Sequence, residues 1–457
     1  MFLPPMTMRS LVLLGLLALV PGEISAQSAP ADSAPRDAAH VWRAWALGTQ
    51  INVIAQHLNP LKSPYTGPNS LSGNGDSQAS FAFGLYTGAR LWRGLEGYLD
   101  VEMIQGHGVS NVTGLGGITN GDVLRQGSTD LGNGPYVARA FLRYTVAFEH
   151  ESADTAVAAQ DQIPVRVARR RMEISAGKLA LNDVFDVNRY ATSTRLQFMN
   201  WGLWQNTAWD FAADTRGYSN GLAVAWITPR WAVRAASFQM PTAANGNKFD
   251  SHLLEAHGDQ IEFSISPGSG GFVARALVFE NHARMGDYAE ALRIGVARQR
   301  SPDIAADDAS GRIKYGYGFN VEQPLADSGE TGAFARFGWN DGRTESFVFT
   351  EVDQHVSAGM QIAGGHWGRM ADRVGIAAVQ HDLSGIHRAY LAAGGAGFLL
   401  GDGRLTYGSE RIVESYYRWQ ATRSLQLSGD VQWIVNPGYN RDRGPATVLS
   451  FRANFRY

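Results

Sequence analysis

Within the last eleven residues, Thr447 to Tyr457, polarity alternates at every step from Leu449 onward. Leu449, Phe451, Ala453, Phe455 and Tyr457 are apolar, and Ser450, Arg452, Asn454 and Arg456 between them are polar. Period two over this length is a β-strand with one apolar and one wet face. The length also suits a strand crossing a bilayer at a tilt, roughly 9–11 residues. A strand placed in lipid needs partners on both edges, because each unpaired backbone group there costs several kcal/mol. The rest of the chain must therefore close a barrel around this strand.

It supplies the partners. From Trp45 onward, stretches of alternating polarity recur between turn residues, the weak per-segment pattern of a membrane barrel. They fall at 45–55, 80–91, 95–103, 137–148, 171–180, 218–228, 231–240, 253–266 and 271–281. Then come 312–323, 332–340, 354–364, 372–381, 410–420, 425–435 and 447–457. In the third, Leu95, Gly97, Leu99, Val101 and Met103 alternate with Glu96, Tyr98, Asp100 and Glu102. Carboxylates are costly against lipid, so these face a lumen. In the fourth, Ala138, Ala140, Leu142, Tyr144, Val146 and Phe148 alternate with Arg139, Phe141, Arg143 and Thr145.

Link lengths decide the strand count. Single-chain bacterial barrels have an even number of strands, with short periplasmic turns and long outer loops. Long links fall at 56–79, 104–136, 181–217, 282–311, 341–353 and 382–409, and short ones at 92–94, 229–230, 267–270 and 421–424. A strand at 289–299 would reverse every later link, so that segment reads as loop, in part a short helix. The expectation is all-β: a transmembrane antiparallel β-barrel of about 16 strands, residues 45–457, with long extracellular loops partly folded into the lumen. One link breaks the pattern: 149–170 is long yet falls on the periplasmic side.

Composition agrees with this reading. A mean hydropathy of −0.19 is too polar for a bundle of membrane helices. The 52 glycines and 12 tryptophans suit turns and interfacial girdles. A net charge of −2 gives no basic field for nucleic acid. With no cysteine, thiol chemistry and thiolate metal sites are excluded. The apolar run 11–20 after Arg9 is too short to span as a helix and reads as the core of a signal peptide, residues 1–26, cleaved after Ala26. Residues 27–44, rich in Ala, Ser, Pro and Asp at their start, read as a disordered periplasmic leader.

One segment carries a resemblance: RLQFMNWGLWQNTAWDFAADTRGYSN, Arg195 to Asn220. Also matching are 106–111, 281–286, Phe337 to Glu345, 390–395 and Val435 to Pro445. In these segments the chain resembles the OprB-type carbohydrate-selective porin family, in the same order over nearly its whole mature length. The resemblance implies a sixteen-stranded channel in the bacterial cell outer membrane that passes mono- or small oligosaccharides by diffusion. It implies outer-membrane lipid as surroundings, and assembly machinery that reads the C-terminal aromatic, here Tyr457. Oligomeric state stays open between monomer and trimer. The chain departs from the family at His107, where a more cationic residue is expected, and in the length of 149–170.

The candidate site is the long loop 181–217. Trp201 and Trp209 offer flat faces to the C–H faces of a pyranose, and Asn206, Asp210, Asp214 and Arg216 offer hydrogen bonds to vicinal hydroxyls. Arg139, Arg143 and Arg336 are placed opposite, on the lumen wall. The competing reading is that the tryptophans pack the loop against the barrel. Wall charges of both signs, among them Glu96, Asp100, Glu102, Arg275, Glu414, Arg418, Asp430 and Arg452, favour neutral polar solutes or simply hydrate the interior.

No cofactor or metal is expected. The glycine clusters lack a βαβ context, the histidines lack ligand spacing, and there is no G-x-S-x-G elbow or paired-acid spacing of a glycosidase. No enzyme is expected. A non-selective porin for small polar solutes is the alternative function. An outer-membrane enzyme or adhesin is a third class. An energised receptor would need a plug domain ahead of the first strand.

Overall fold

The computed structural model describes residues 44–124, 131–148, 153–268 and 270–457. The signal-peptide reading, and all of the leader but Ala44, lie outside these residues. Eight strands make the first half: β1 (Trp45–Leu58), β2 (Asp76–Trp92), β3 (Leu95–Gly106), β4 (Tyr136–Ala147), β5 (Ala153–Ala156), β6 (Val165–Ala168), β7 (Arg171–Leu179) and β8 (Ser219–Ile227). There follow β9 (Trp231–Gln239), β10 (His257–Ile265), β11 (Val273–Met285), β12 (Ala309–Ala326) and β13 (Thr331–Asn340). The last five are β14 (Gln354–Ala363), β15 (Arg373–Asp382), β16 (Glu410–Gln420), β17 (Leu425–Val435) and β18 (Ala446–Arg456).

Sixteen of them pair with their neighbours into one closed antiparallel barrel. β5 and β6 stand apart as a two-stranded hairpin. The seam is the pair β1–β18, in register from Gln50↔Arg456 to Leu58↔Val448. Tyr457 completes it: its N–H donates to Thr49 O at 3.0 Å, and Thr49 N–H donates back to Tyr457 O at 2.8 Å. Closure leaves no strand edge in lipid, which is why the terminal strand needs the first.

The alternation sorts faces as the sequence dictates. Leu449 and Phe451 face outward and are exposed, while Ser450, Arg452 and Asn454 are buried inside. Outward Leu99 contrasts with inward Tyr98, Asp100 and Glu102 on β3. Trp226, Trp231 and Trp419 stand near the end of the barrel that carries the short links, and Trp339 and Trp433 near the other, as two girdles. Ala138 differs from expectation. It sits in a bulge where Asp100 pairs with Arg139 and Val101 with Val137, and it is buried against Ala180 and Tyr218.

Two other boundaries move. The segment 253–266 becomes a strand only at His257, because the Asp250 carboxylate accepts the His252 N–H (2.9 Å) and a tight turn follows. The segment 289–299 is a helix, α2 (Tyr288–Arg298), capped by Asp287. A shorter helix, α1 (Trp201–Trp204), precedes it in the long loop, and α3 (Gly385–Ala392) follows. Helices and long links gather at one end of the barrel; the other carries 93–94, 228–230, 266–272, 327–330, 364–372 and 421–424, with 148–170 as the exception.

Candidate solute pathway

The loop 180–218 enters the lumen and follows the wall, held at points far apart in sequence. Asp186 takes hydrogen bonds from Arg336 Nε (3.1 Å), from Asn320 Nδ2 (2.7 Å) and from Asn206 N–H (2.8 Å). Arg336 also donates to Leu203 O and Ala191 O. Glu414 accepts the N–H groups of Met199 (2.5 Å) and Asn200 (2.9 Å). Arg452 donates to Thr194 O and Gln197 O, and Arg418 to Leu196 O. The Asn200 side chain caps α1 by accepting the Gly202 N–H at 2.9 Å. Segment 107–124 joins from the β3–β4 link, where Asp122 pairs with Arg195 at 2.9 Å and Ile118 O accepts the Trp201 N–H.

The residues proposed from sequence therefore separate. Trp209 is 1% exposed, packed against Phe185 and Phe211 with ring centroids at 6.1 and 4.9 Å. Trp201 stacks on Phe349 at 4.5 Å and leans on Trp204. Their faces are taken by neighbouring rings, so the packing alternative describes them and the stacking expectation is corrected. Asn206 lies against the wall where β12 and β13 carry Gly318 and Gly338; a Cβ at either would fall within 2.3 Å of its side chain.

Asp210 is sunk on Lys314 (3.3 Å) and accepts the N–H groups of Phe347 and Val348, both at 2.9 Å. Burial pushes its carboxyl up, with Lys314 and those N–H groups opposing. Asp214 accepts the N–H groups of Arg216 and Tyr218; burial raises it too, against those hydrogen bonds and Lys178. Arg216 is half-buried over the Tyr136 ring at 4.2 Å and donates to Leu131 O. Arg336, 2% exposed, holds the loop and faces no open water.

Arg139 and Arg143 stand elsewhere. The loop covers inward side chains of β13, β16 and β18, so that Arg336, Glu414, Arg418 and Arg452 are sealed. Inward charges on β7, β9 and β11 keep contact with water: the side chains of Glu173 and Arg234 are each 24% exposed, that of Arg171 is 21% and that of Arg275 is 13%, whereas on β4 Arg143 is half-buried and Arg139 is buried. Glu173, Ala225, Arg234 and Glu262 form one row of paired residues across four strands, with Arg234 and Glu262 3.4 Å apart.

At the head of this wall Arg139 meets Asp183 of the long loop at 2.7 Å, and also Asp100 at 3.4 Å and Asp161 at 3.2 Å. The Asp183 side chain is 38% exposed. Arg143 lies over the Tyr98 ring at 5.0 Å. Beside them Arg195 pairs with Asp122 and with Glu102 (3.5 Å), the carboxylate that Arg139 also approaches at 3.9 Å. Burial works against its charge, yet Asp122, Tyr86 and Glu102 hold it above its usual value.

Sequence reasoning missed Asp161, Asp183, Asp186 and Arg195. Each lies in a link, where no periodicity reports direction, and each finds its partner more than twenty residues away.

A closed barrel with ionised groups of both signs along a wetted inner wall, narrowed by its own inward loop, defines a diffusion channel of the porin class. Residues 69–457 match the family model for "Carbohydrate-selective porin, OprB family", and the chain belongs to that family. It is a porin channel selective for carbohydrate. Among solved structures, Pseudomonas putida OprB at high pH is 15% identical, with 91% of this chain and 94% of that one covered and a TM-score of 0.68. The low-pH structure of the same protein is 12% identical (TM-score 0.48; 91% and 93% covered). A triple mutant of the Rhodopseudomonas blastica porin is 9% identical (TM-score 0.44; 90% and 100% covered). Of these, only the first supports a shared fold. No curated protein matches the sequence.

Proposed function

We propose that mono- or small oligosaccharides diffuse past the wetted inward side chains of β4, β7, β9 and β11, and that Asp183, Arg143, Arg195, Glu173 and Arg234, with Arg139 behind Asp183, are the groups they meet. The observation that carries this is the Arg139–Asp183 pair. It joins the inward loop to the wall and leaves its carboxylate side open to water. Guanidinium and carboxylate side by side offer donors and acceptors to neighbouring hydroxyls without trapping an ion of either sign. Trp201, Trp209, Asn206, Asp210 and Arg336 serve the same pathway at one remove, by holding the loop in place. Asp214 and Arg216 belong to its outer approach.

A channel must release what it binds, so a millimolar affinity, about −4 kcal/mol, suits it. Titrating sugar against single-channel current in planar bilayers tests the assignment. Asp183→Asn and Arg143→Gln weaken the block, and Leu427→Ala, on the lipid face, leaves it unchanged. Equal block in all three variants removes these residues from the pathway. No block by any sugar in the wild type favours a channel for small polar solutes at large.

For biogenesis we propose export by a signal peptide ending at Ala26, a leader from Gln27, and assembly in the outer membrane through recognition of Tyr457.

A further inference from the structure

The 148–170 link sits at the end of the barrel where every other connection is short. Its hairpin β5–β6 opens at Ala156↔Val165, and the connector then turns into the barrel. Ile163 is fully buried, and its N–H donates to Tyr98 Oη at 3.4 Å. Ala159 and Gln162 exchange both backbone hydrogen bonds, at 3.0 and 3.1 Å, so Gln160 and Asp161 form the tip of a two-residue turn. Gln160 Nε2 donates to Asp100 Oδ2 at 2.9 Å, and Arg143 Nη1 donates to Asp161 O at 2.9 Å. The Asp161 carboxylate reaches Arg139 at 3.2 Å.

Two features show that this is more than a long turn folded back. Asp161 has a φ of 56°, in the left-handed region that glycine, asparagine and aspartate enter and other side chains resist. Its carboxylate is aimed at Arg139, with Oδ2 on the guanidinium and Oδ1 buried. Moreover, its target is the arginine that Asp183 grips from the outer loop, so links from the two ends of the barrel converge on Arg139. Asp161 keeps 14% of its side chain exposed beside that pair.

We propose that the Gln160–Asp161 tip forms the periplasmic side of the constriction at Arg139 and helps set specificity: its bulk limits the cross-section of the solute, and the Asp161 carboxylate accepts hydrogen bonds from sugar hydroxyls leaving Arg139. This rests on the pathway assigned above. Arg139 retains Asp183 and Asp100 when Asp161 is removed, so it is not left without a carboxylate.

Three variants of the full-length protein test it: Asp161→Asn and Asp161→Gly, both tolerant of that φ, and a shortened hairpin in which Asn–Gly joins Ala156 to Val165. Glucose and glucose oligomers of increasing length are the probes, in planar bilayers and in liposome swelling. The shortened hairpin raises open-channel conductance about twofold and admits longer oligomers. The point variants leave conductance near wild type but weaken sugar block about fivefold, the loss of one hydrogen bond, and shift the reversal potential toward anions. Wild-type conductance and size limit in the shortened hairpin overturn the constriction. Unchanged block and reversal potential in both point variants overturn the role of the carboxylate. Loss of block in Asp183→Asn with none in Asp161→Gly refutes the periplasmic contact alone, whereas no block in the wild type refutes the pathway beneath it.

Discussion

Asp186→Asn should unlatch the inward loop without harming the barrel. Asp186 has a φ of 55°, which asparagine tolerates and alanine does not, so this change isolates the charge from the backbone. In the native protein the carboxylate faces donors only: Arg336 Nε, Asn320 Nδ2 and the Asn206 N–H. An amide in its place turns an NH2 group on at least one of them. It also leaves the Arg336 guanidinium, whose side chain is sealed from water, without its paired carboxylate and with only neutral acceptors. Removing one partner of a buried ion pair costs about 3–5 kcal/mol. The remaining carbonyls argue for the lower figure, and about 3 kcal/mol shifts the loop equilibrium roughly a hundredfold toward release.

The strands do not use Asp186, so the heat-modified gel shift of the barrel should persist. Single-channel records should show frequent excursions to higher conductance, with weaker sugar block during them. Adding Arg336→Met removes the orphaned charge and should quieten the channel again. A quiet Asp186→Asn channel with normal block would show that this pair does not hold the loop. A double variant as noisy as the single would show that the uncompensated arginine is not the cause.

Other outcomes follow from the same geometry. Trp209→Ala empties a site among Phe185 and Phe211, costs about 3–5 kcal/mol of loop packing and should make the open current noisier, whereas Leu427→Ala should not; equal noise in both would refute the packing role. Deleting Phe455 to Tyr457 removes the end of the seam with Ile51 and Thr49 and should abolish the heat-modifiable outer-membrane form; normal levels would refute the closing role. In loop 341–353, burial raises the Glu345 carboxyl to about 8, with Asp308 adding to it against the Gly286 N–H and Lys314. A raised acid keeps its proton when folded, so its contribution is whole below the usual carboxylate range and is lost as pH climbs toward 8. Amide exchange in this loop should accelerate over that window, and Glu345→Gln should flatten the rise. Finally, N-terminal sequencing of the mature protein should begin near Gln27.

Sequence alone determined the barrel. Period-two alternation is a local property, so Leu449 and Arg452 announce their faces without knowledge of any partner. Link lengths fixed the strand count and rejected 289–299 as a strand, since adding one would invert inside and outside for all that follow. The inner wall was legible too: Glu96, Asp100, Arg139 and Arg143 face inward because lipid would not take them.

What the sequence did not determine is which inward groups meet water. Trp209 and Arg336 look as fit for a sugar as Arg143. Their fates diverge because Asp186 with Arg336, 150 residues apart, and Glu414, Arg418 and Arg452 draw the loop against one side of the barrel. The same holds for Asp161, whose direction is set by an arginine on another element. A loop has no repeating register, so its course is decided by long-range ion pairs that exist only once the barrel has closed. Faces are encoded locally; the path through the pore is a property of the assembled whole.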